Sequence, residues 1–585
     1  MKDFLKTTLA VILGIVIVSV VSGFLSVIAL VGLASASSAS GTNISPNSIL
    51  KMDMSKLVVA EQTQNFSGSL NLGSSISFDA PESIGIWDAV QALNAAAADP
   101  RIQCVYLKVD GLSGGITTIQ ELRKALSNFR QSGKPVIAYS EAPSTGSYYL
   151  ASVADKVYIT PYQGTESMIT GLSGRLIFLK DLLDKFGVNV QLIRHGKYKS
   201  AGEMYTRSSA SPENMEQNQV MINSIWESLA SEICASRGIS VEQLDALIND
   251  LKLDTADDFI ENKLADEKLN REELQQKLAS LAMVDSFKEV KMVSLKEYSG
   301  TLPAPKITAK NKIAVIYVDG EIVDGKEKQE VAGDRFASEI AKVRADSTVK
   351  VVVLRVNSPG GSVIASEKIK AELDLLKQDK RIVASYANYA ASGGYWISNN
   401  ADKIYTNPTT LTGSIGVFGM VPDFSKTVKD VAHVTITPVK SHKHSDMFSL
   451  MRPFDKDEYA YMQRDIERIY DNFVNMVAQS RSMEPEQVDE IAQGRVWTGS
   501  DALKIGLVDE IGTLEDAVRY AAGLAGNDDL SQWSVVGYPK PASPFEEVLS
   551  MFGGKTTGDD EMMAFAKNLT APRTLARMPF EFSIQ

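Results

Sequence analysis

The feature that most constrains this chain is an internal repeat. Arg101–Val109 (RIQCVYLKV) lines up with Thr348–Val356 (TVKVVVLRV), and Ala154–Tyr158 with Ala401–Tyr405. Tyr139, Gly146, Tyr148 and Pro161 fall opposite Tyr386, Gly393, Tyr395 and Pro408. One offset of 247 serves from Asp99 and Asp346 to Pro161 and Pro408 without a gap. Register kept over about sixty residues is the mark of a duplicated unit. A chain of 585 residues has room for about four units of ordinary size. The repeat organises it chiefly as two related ones.

Each half reads as α/β. Val349–Val356 is a continuous β-branched run, as in a strand buried on both faces. A turn at Asn357–Gly361 follows, then a helix over Ala365–Lys377, whose Ile369, Leu373 and Leu376 share one face. Ile382–Tyr386 is the next strand, a short helix starts near Gly393, and Lys403–Thr406 is a further strand. The first half repeats this order with Cys104–Val109, Ile119–Arg130, Val136–Tyr139 and Val157–Ile159. Strands and helices alternating across short turns predict crossover units and a mostly parallel sheet. Longer helices are expected over Glu213–Arg237 and Asp455–Ser482.

Composition narrows the classes of function. Lys+Arg 60 against Asp+Glu 72 gives a net charge of −12 with no dense basic run, so nucleic acid is not an expected partner. Cys104 and Cys234 are too few for a disulfide framework and wrongly spaced for zinc. His442 and His444 sit in a Lys/Ser-rich loop, and no metal or other cofactor is expected. A Walker loop is absent, since Gly133-Lys134 lacks the upstream glycine.

No charged residue occurs between Lys6 and Lys51, and Thr8–Leu33 is almost wholly apolar. That is long enough for a membrane-spanning helix (about 20 residues) and exceeds the ~7–15 residues of a cleaved signal core. The following ASASSASG at Ala34–Gly41 supplies the rival reading, a cleavage site. Lys2 and Lys6 put the N-terminus in the cytosol and everything beyond about residue 50 on the outer side. The expected organisation is a cytosolic segment 1–7, a transmembrane anchor 8–33, a flexible linker 34–54 and a first domain 55–298. A linker 299–311 (within SGTLPAPKITAKNK), a second domain 312–540 and a tail 541–585 complete it.

Two turns of the second half are candidates for chemistry. In Asn357–Ser362 the paired glycines Gly360 and Gly361 let backbone N–H groups face a cleft, as an oxyanion hole requires; a tight turn before a helix is the plainer reading. In Ala390–Trp396, Ser392 stands between a strand and a helix with small neighbours; a helix-capping serine is the plainer reading there. Successive crossover units bring both turns to one edge of the sheet, where open α/β sheets place their sites. A serine nucleophile needs a base, and no histidine is near either turn. The first half offers Arg194–Ala201 (RHGKYKSA). There Lys199, neutral if buried or crowded by Arg194 and Lys197, competes with His195 and with a plain solvated loop.

The repeat separates these readings. Thr145 falls opposite Ser392, Ser113 opposite Gly360 and Gly114 opposite Gly361, while Lys199 falls opposite a residue near Asp446. The first half lacks the serine and keeps a lysine loop; the second keeps the serine and lacks the lysine. An intact Ser–Lys pair needs both halves.

Val356–Val363 (VNSPGGSV), Ala391–Ser398 (ASGGYWIS), Leu411–Val417 (LTGSIGV) and Gly196–Ala201 (GKYKSA) together resemble the signal peptide peptidase A family in its long, duplicated form. The resemblance implies two tandem Clp-protease/crotonase-like domains behind a membrane anchor. It implies a serine endopeptidase that digests cleaved signal peptides and other apolar peptides, housed in the cytoplasmic membrane as a homotetramer with its catalytic bulk on the periplasmic side. Carried over, Ser392 is the nucleophile and Lys199 the general base. The Ser392 amide with Gly361 or Gly360 forms the oxyanion hole. Substrate is expected to pair with a strand edge such as Ser414–Phe418. Ser414 and Thr412 read first as turn residues, with orientation of the lysine as their second role. Gly202-Glu203-Met204 departs from the family pattern. The alternatives are a crotonase-like acyl-CoA enzyme and an inactive membrane scaffold.

Overall fold

The computed structural model describes residues 43–541, except 64–69, 72–76, 79–80, 163–168, 306–307 and 329, together with residues 573–578. The expected anchor at 8–33 lies outside these residues. No helix among the described residues is long and apolar enough to cross a membrane.

Each half is built on a parallel sheet with one strand order. In the first half it runs Glu267–Lys268, Lys156–Ile159, Val136–Ser140, Ile102–Lys108, Ser48–Asp53, Met292–Ser294. In the second it runs Glu510–Ile511, Lys403–Thr406, Arg381–Ala391, Val349–Ser358, Lys312–Asp319, Ser534–Tyr538. Arg381–Ala391 is long enough to pair also with Leu411–Gly413, beyond Lys403–Thr406. The repeat reaches further than its sequence signal. Helices Ile86–Ala98 and Gly333–Ala345 stand at the same offset of 247, and the offset then falls to 244 at Pro212–Arg237 and Lys456–Arg481. These long helices start at side-chain caps, Ser211 and Asp455. They end where Gly238 and Ser482 turn left-handed, at φ 68° and 55°.

The two halves share a core. Apolar side chains of the first half (Leu93, Leu107, Leu122) belong to one buried cluster with Val315, Val353 and Val383 of the second. A polar joint lies beside it. Arg355, with no exposed surface, reaches Glu61 at 2.7 Å and Glu121 at 2.8 Å, both from the first half.

Two expectations need correction. Ser48–Asp53, placed in a flexible linker, is an inner strand whose Ile49, Leu50 and Met52 are fully buried. Its six residues alternate too briefly, next to a Ser/Asn-rich run, to announce a strand. The tail also contributes structure. Arg573–Arg577 is a strand of a third sheet, ordered Val331–Ala332, Ile322–Val323, Gly360–Ser362, Arg573–Arg577, Phe418–Asp423, Asn189–Arg194. In that sheet Asn189–Arg194 of the first half pairs antiparallel with Phe418–Asp423 of the second over six residues. This pairing carries the lysine loop to the serine.

Candidate active site

Ser392 ends the strand Arg381–Ala391 and precedes the helix Gly393–Ser398. Its backbone sits at φ 54°, ψ −111°. Such a conformation is costly for a non-glycine residue and clusters at functional sites. The bend is held by the Ser392 amide, which donates to the Gly413 carbonyl at 2.8 Å. That bond corrects the expectation that this amide serves an oxyanion. The serine itself is fully buried.

Lys199 follows the strand Asn189–Arg194 and is also fully buried. Its loop is fastened from both halves. The Tyr198 amide donates to the Gln493 carbonyl at 3.0 Å, and Arg194 Nη1 donates to the Lys199 carbonyl at 2.9 Å. Gly494 lies so close that a methyl group built on it would stand 2.5 Å from Lys199 Cβ. Buried Glu203, in the stretch noted as a departure, ties down the next turn. It accepts from the Ser211 amide (3.0 Å) and hydroxyl (2.7 Å), from Asn214 Nδ2 (3.1 Å) and from Arg194 (3.3 Å). Burial opposes ionisation of Glu203, but these donors outweigh it and hold the carboxyl below its ordinary range.

The Lys199 Nζ lies 2.8 Å from Ser392 Oγ, 2.9 Å from Ser414 Oγ and 3.0 Å from the Ser414 carbonyl. Burial holds its pKa well below the ordinary lysine value. Of the two causes the sequence left open, burial and cationic neighbours, burial is the one at work. Arg194 pairs with Glu203, and Lys197 lies over the Tyr198 ring. A neutral amine has two N–H groups and one lone pair. The Ser414 carbonyl can only accept, so it takes one N–H; Ser414 Oγ takes the other, and the lone pair faces the Ser392 hydroxyl.

Of the other named residues, Ser414 reaches the lysine and Thr412 does not; Thr412 Oγ1 donates to the Ala390 carbonyl at 2.7 Å. The His195 ring stacks on Tyr470 with centroids 3.9 Å apart, whereas Ser392 Oγ lies within hydrogen-bond reach of Lys199 Nζ at 2.8 Å and the Gly416 carbonyl at 3.5 Å. The Gly360 amide donates to Ser358 Oγ at 3.2 Å. Gly361 pairs with Ala576 on one side and Ile322 on the other. Gly393 comes within reach as well, since a methyl group on Gly360 would lie 2.6 Å from Gly393 N. The sequence signal for Gly393 was present but went unused: it is the first amide of a helix, which has no partner inside that helix.

A cavity of about 540 Å³ lies beside Gly360–Ser362 and Phe418–Asp423, lined by apolar Ile322, Val363, Met420, Met462 and Leu575 together with charged Glu321, Asp324, Asp465 and Arg468. A larger cleft, about 930 Å³, lies between the halves around Arg123, Tyr405 and Tyr520 and contains none of these site residues.

The pattern that defines peptidase family S49 matches twice, at residues 128–285 and 374–528. Protease 4 of Salmonella typhi is 37% identical over 480 residues, covering 80% of this chain and 76% of its own. A chloroplastic serine protease SPPA of Arabidopsis thaliana is 31% identical over 80% of this chain and 70% of its own. A putative signal peptide peptidase SppA of Enterococcus faecium is 33% identical over 44% of this chain and 77% of its own. Among solved structures, a ClpP1 mutant of Listeria monocytogenes covers 35% of this chain and 94% of its own at a TM-score of 0.25 and 15% identity, too slight a likeness to carry weight. The chain belongs to peptidase family S49, with its domain present twice in a mixed α/β fold. It is a serine peptidase.

Proposed function

We propose that this peptidase cleaves signal peptides and other apolar peptides with Ser392 as nucleophile and Lys199 as general base and acid. The observation that carries the reading is the 2.8 Å approach of a fully buried, desolvated lysine to a buried serine at a strained strand–helix bend. Substrate lies extended along Phe418–Asp423 and Gly360–Ser362, which is a longer edge than the expected Ser414–Phe418, and its apolar side chains enter the cavity beside Met420. Neutral Lys199 takes the Ser392 proton as Oγ attacks the carbonyl carbon, then gives it to the leaving amine. The Gly361 and Gly393 amides receive the oxyanion. Water, activated by the same lysine, hydrolyses the ester. The chemistry uses neither metal nor other cofactor.

Supporting the signal-peptide substrate are the Enterococcus relative's name and the apolar side chains Met420, Met462 and Leu575 in the groove, which share its lining with charged residues. The finer fold reading is part of the proposal: two Clp-protease/crotonase-like domains behind the 8–33 anchor, on the periplasmic side of the cytoplasmic membrane. So is assembly into a homotetramer. The repeat supports it, because Asn189–Arg194 has its counterpart in an exposed segment of the second half, where Val434, Ile436 and Val439 are 51%, 53% and 99% exposed. A second copy would satisfy between chains the pairing that the two halves make within one.

The test is a fluorophosphonate serine probe with mapping of the labelled residue, alongside cleavage of an apolar peptide by Ser392→Ala and Lys199→Ala. Labelling at Ser392 is expected. Lys199→Ala is expected to lower the rate by about 10²–10⁴-fold, the range for a lost general acid–base. Peptide cleavage that survives Lys199→Ala undiminished would remove the lysine from the mechanism.

A further inference from the structure

Resting on the assignment of Lys199 as general base, we infer that Gln217 is a positioning residue for this reaction: it holds the base at its distance from the nucleophile. Gln217 stands in the second turn of the helix Pro212–Arg237, in the first half, and is 1% exposed. Its Nε2 donates to the Tyr198 carbonyl at 3.0 Å and to Ser200 Oγ at 3.1 Å, the residues on either side of Lys199. Its Oε1 accepts from the Val496 amide of the second half at 3.4 Å. A carbonyl only accepts and a backbone amide only donates, so these partners fix which end of the side chain faces which. Both N–H groups and the oxygen of the side-chain amide are thereby engaged.

What lies beyond Val496 gives this side chain its reach. Val496 stands opposite Gly413 in the antiparallel pair of Val496–Thr498 with Leu411–Gly413. The Gly413 carbonyl accepts from the Ser392 amide at 2.8 Å and so holds the strained bend of the nucleophile. The next residue, Ser414, offers its carbonyl and hydroxyl to the Lys199 Nζ, and its own amide donates to the Arg495 carbonyl at 2.7 Å. Gln217 therefore joins the backbone on both sides of Lys199 to the strand against which Ser392 and Ser414 are set. A lysine stem is long and flexible, so where Nζ falls depends on how firmly its backbone is held. Other residues of the same helix face have other duties. Asn214 Nδ2 donates to Glu203 at 3.1 Å, and Ser224 Oγ meets Thr498 Oγ1 at 2.7 Å. Of the three, Gln217 is the one bonded to the flanks of Lys199.

Steady-state cleavage of a quenched fluorescent apolar peptide by the full chain tests this, with Gln217→Leu, Gln217→Glu, Ser224→Ala and Lys199→Ala beside wild type. Gln217→Leu is expected to lower kcat about 10–100-fold, as a misplacement on the order of 1 Å does, with KM within about twofold of wild type. Its acid limb of kcat/KM is expected to move to higher pH, since a loosened loop admits water to the amine. Gln217→Glu keeps the acceptor for Val496 and loses both donors; it is expected to repeat the kcat loss, and it serves if Gln217→Leu misfolds. Ser224→Ala removes a contact between the same helix and the same strand, about two turns further along. It is expected to keep the wild-type kcat. Wild-type kcat in Gln217→Leu and Gln217→Glu, with Lys199→Ala about 100-fold or more down, would overturn the positioning role and leave the dyad standing. Equal kcat losses in Gln217→Leu and Ser224→Ala would overturn it too, by making the effect one of helix docking. Undiminished cleavage by Lys199→Ala would remove the base, and the role of Gln217 with it.

Discussion

Three oxygens meet the Lys199 Nζ, and all three belong to uncharged groups. An ammonium there has hydrogen bonds but no counter-charge, which is why burial alone drives its pKa down. The sign of the pH effects follows. Below the lowered pKa the site holds an ammonium and kcat/KM falls about tenfold per pH unit; above it the rate levels off. Peptide cleavage across a pH series checks this. Stability has the same sign. Between the folded value and the unfolded value of about 10.4, the unfolded chain holds a proton that the folded chain does not, so stability rises with pH across that window and is flat below it. Lys199→Met is expected to lower cleavage as far as Lys199→Ala does, erase that slope, and unfold in urea at pH 7 at or above the wild-type midpoint. A midpoint far below wild type would mean that the lysine supports the fold.

Between residue and molecule stand the elements that hold the lysine loop. The second-half turn Gln493–Gly494 binds the first-half segment Tyr198–Lys199, and Gly494 adopts φ 78° so that nothing intervenes. Gly494→Ala adds left-handed strain of about 1–2 kcal/mol and pushes against Lys199 Cβ. It is expected to lower kcat by at least tenfold at a nearly unchanged KM, with the far-UV spectrum retained; steady-state kinetics checks it. This contact illustrates what the sequence left illegible. The alternation of apolar runs marked the parallel strands and the helices between them, and the repeat brought both glycine turns to one sheet edge. The repeat drew attention to Ser392 and Lys199, each half keeping what the other lacks, but the roles proposed for them came with the family resemblance. Gly494 carried no local signal, since its role arises from a neighbour almost three hundred positions away. The Arg573–Arg577 strand was hidden for a similar reason: five residues of mixed character become a strand only because two facing edges accept them. Ser48–Asp53 likewise owes its burial to partners on both sides.

At the scale of the whole molecule, the halves are joined by a common core and by the buried Arg355 cluster. Replacing Arg355 leaves two buried carboxylates, Glu61 and Glu121, without their cation. Arg355→Met is expected to cost about 3–5 kcal/mol in chemical denaturation, and the triple variant with Glu61→Gln and Glu121→Gln to recover most of that. Such a loss should lower activity as well, because the same interface sets the distance between lysine and serine.

Lys199 and Ser392 stand 193 positions apart on different halves, with the groove-filling strand nearer the C-terminus than either. A ribosome delivers them in that order. Under the proposed mechanism the lysine emerges first with nothing to activate, the serine follows, and the strand that occupies the groove comes after both. The growing chain therefore has no working protease while most of its length is still being made, and the finished one begins with its groove already filled.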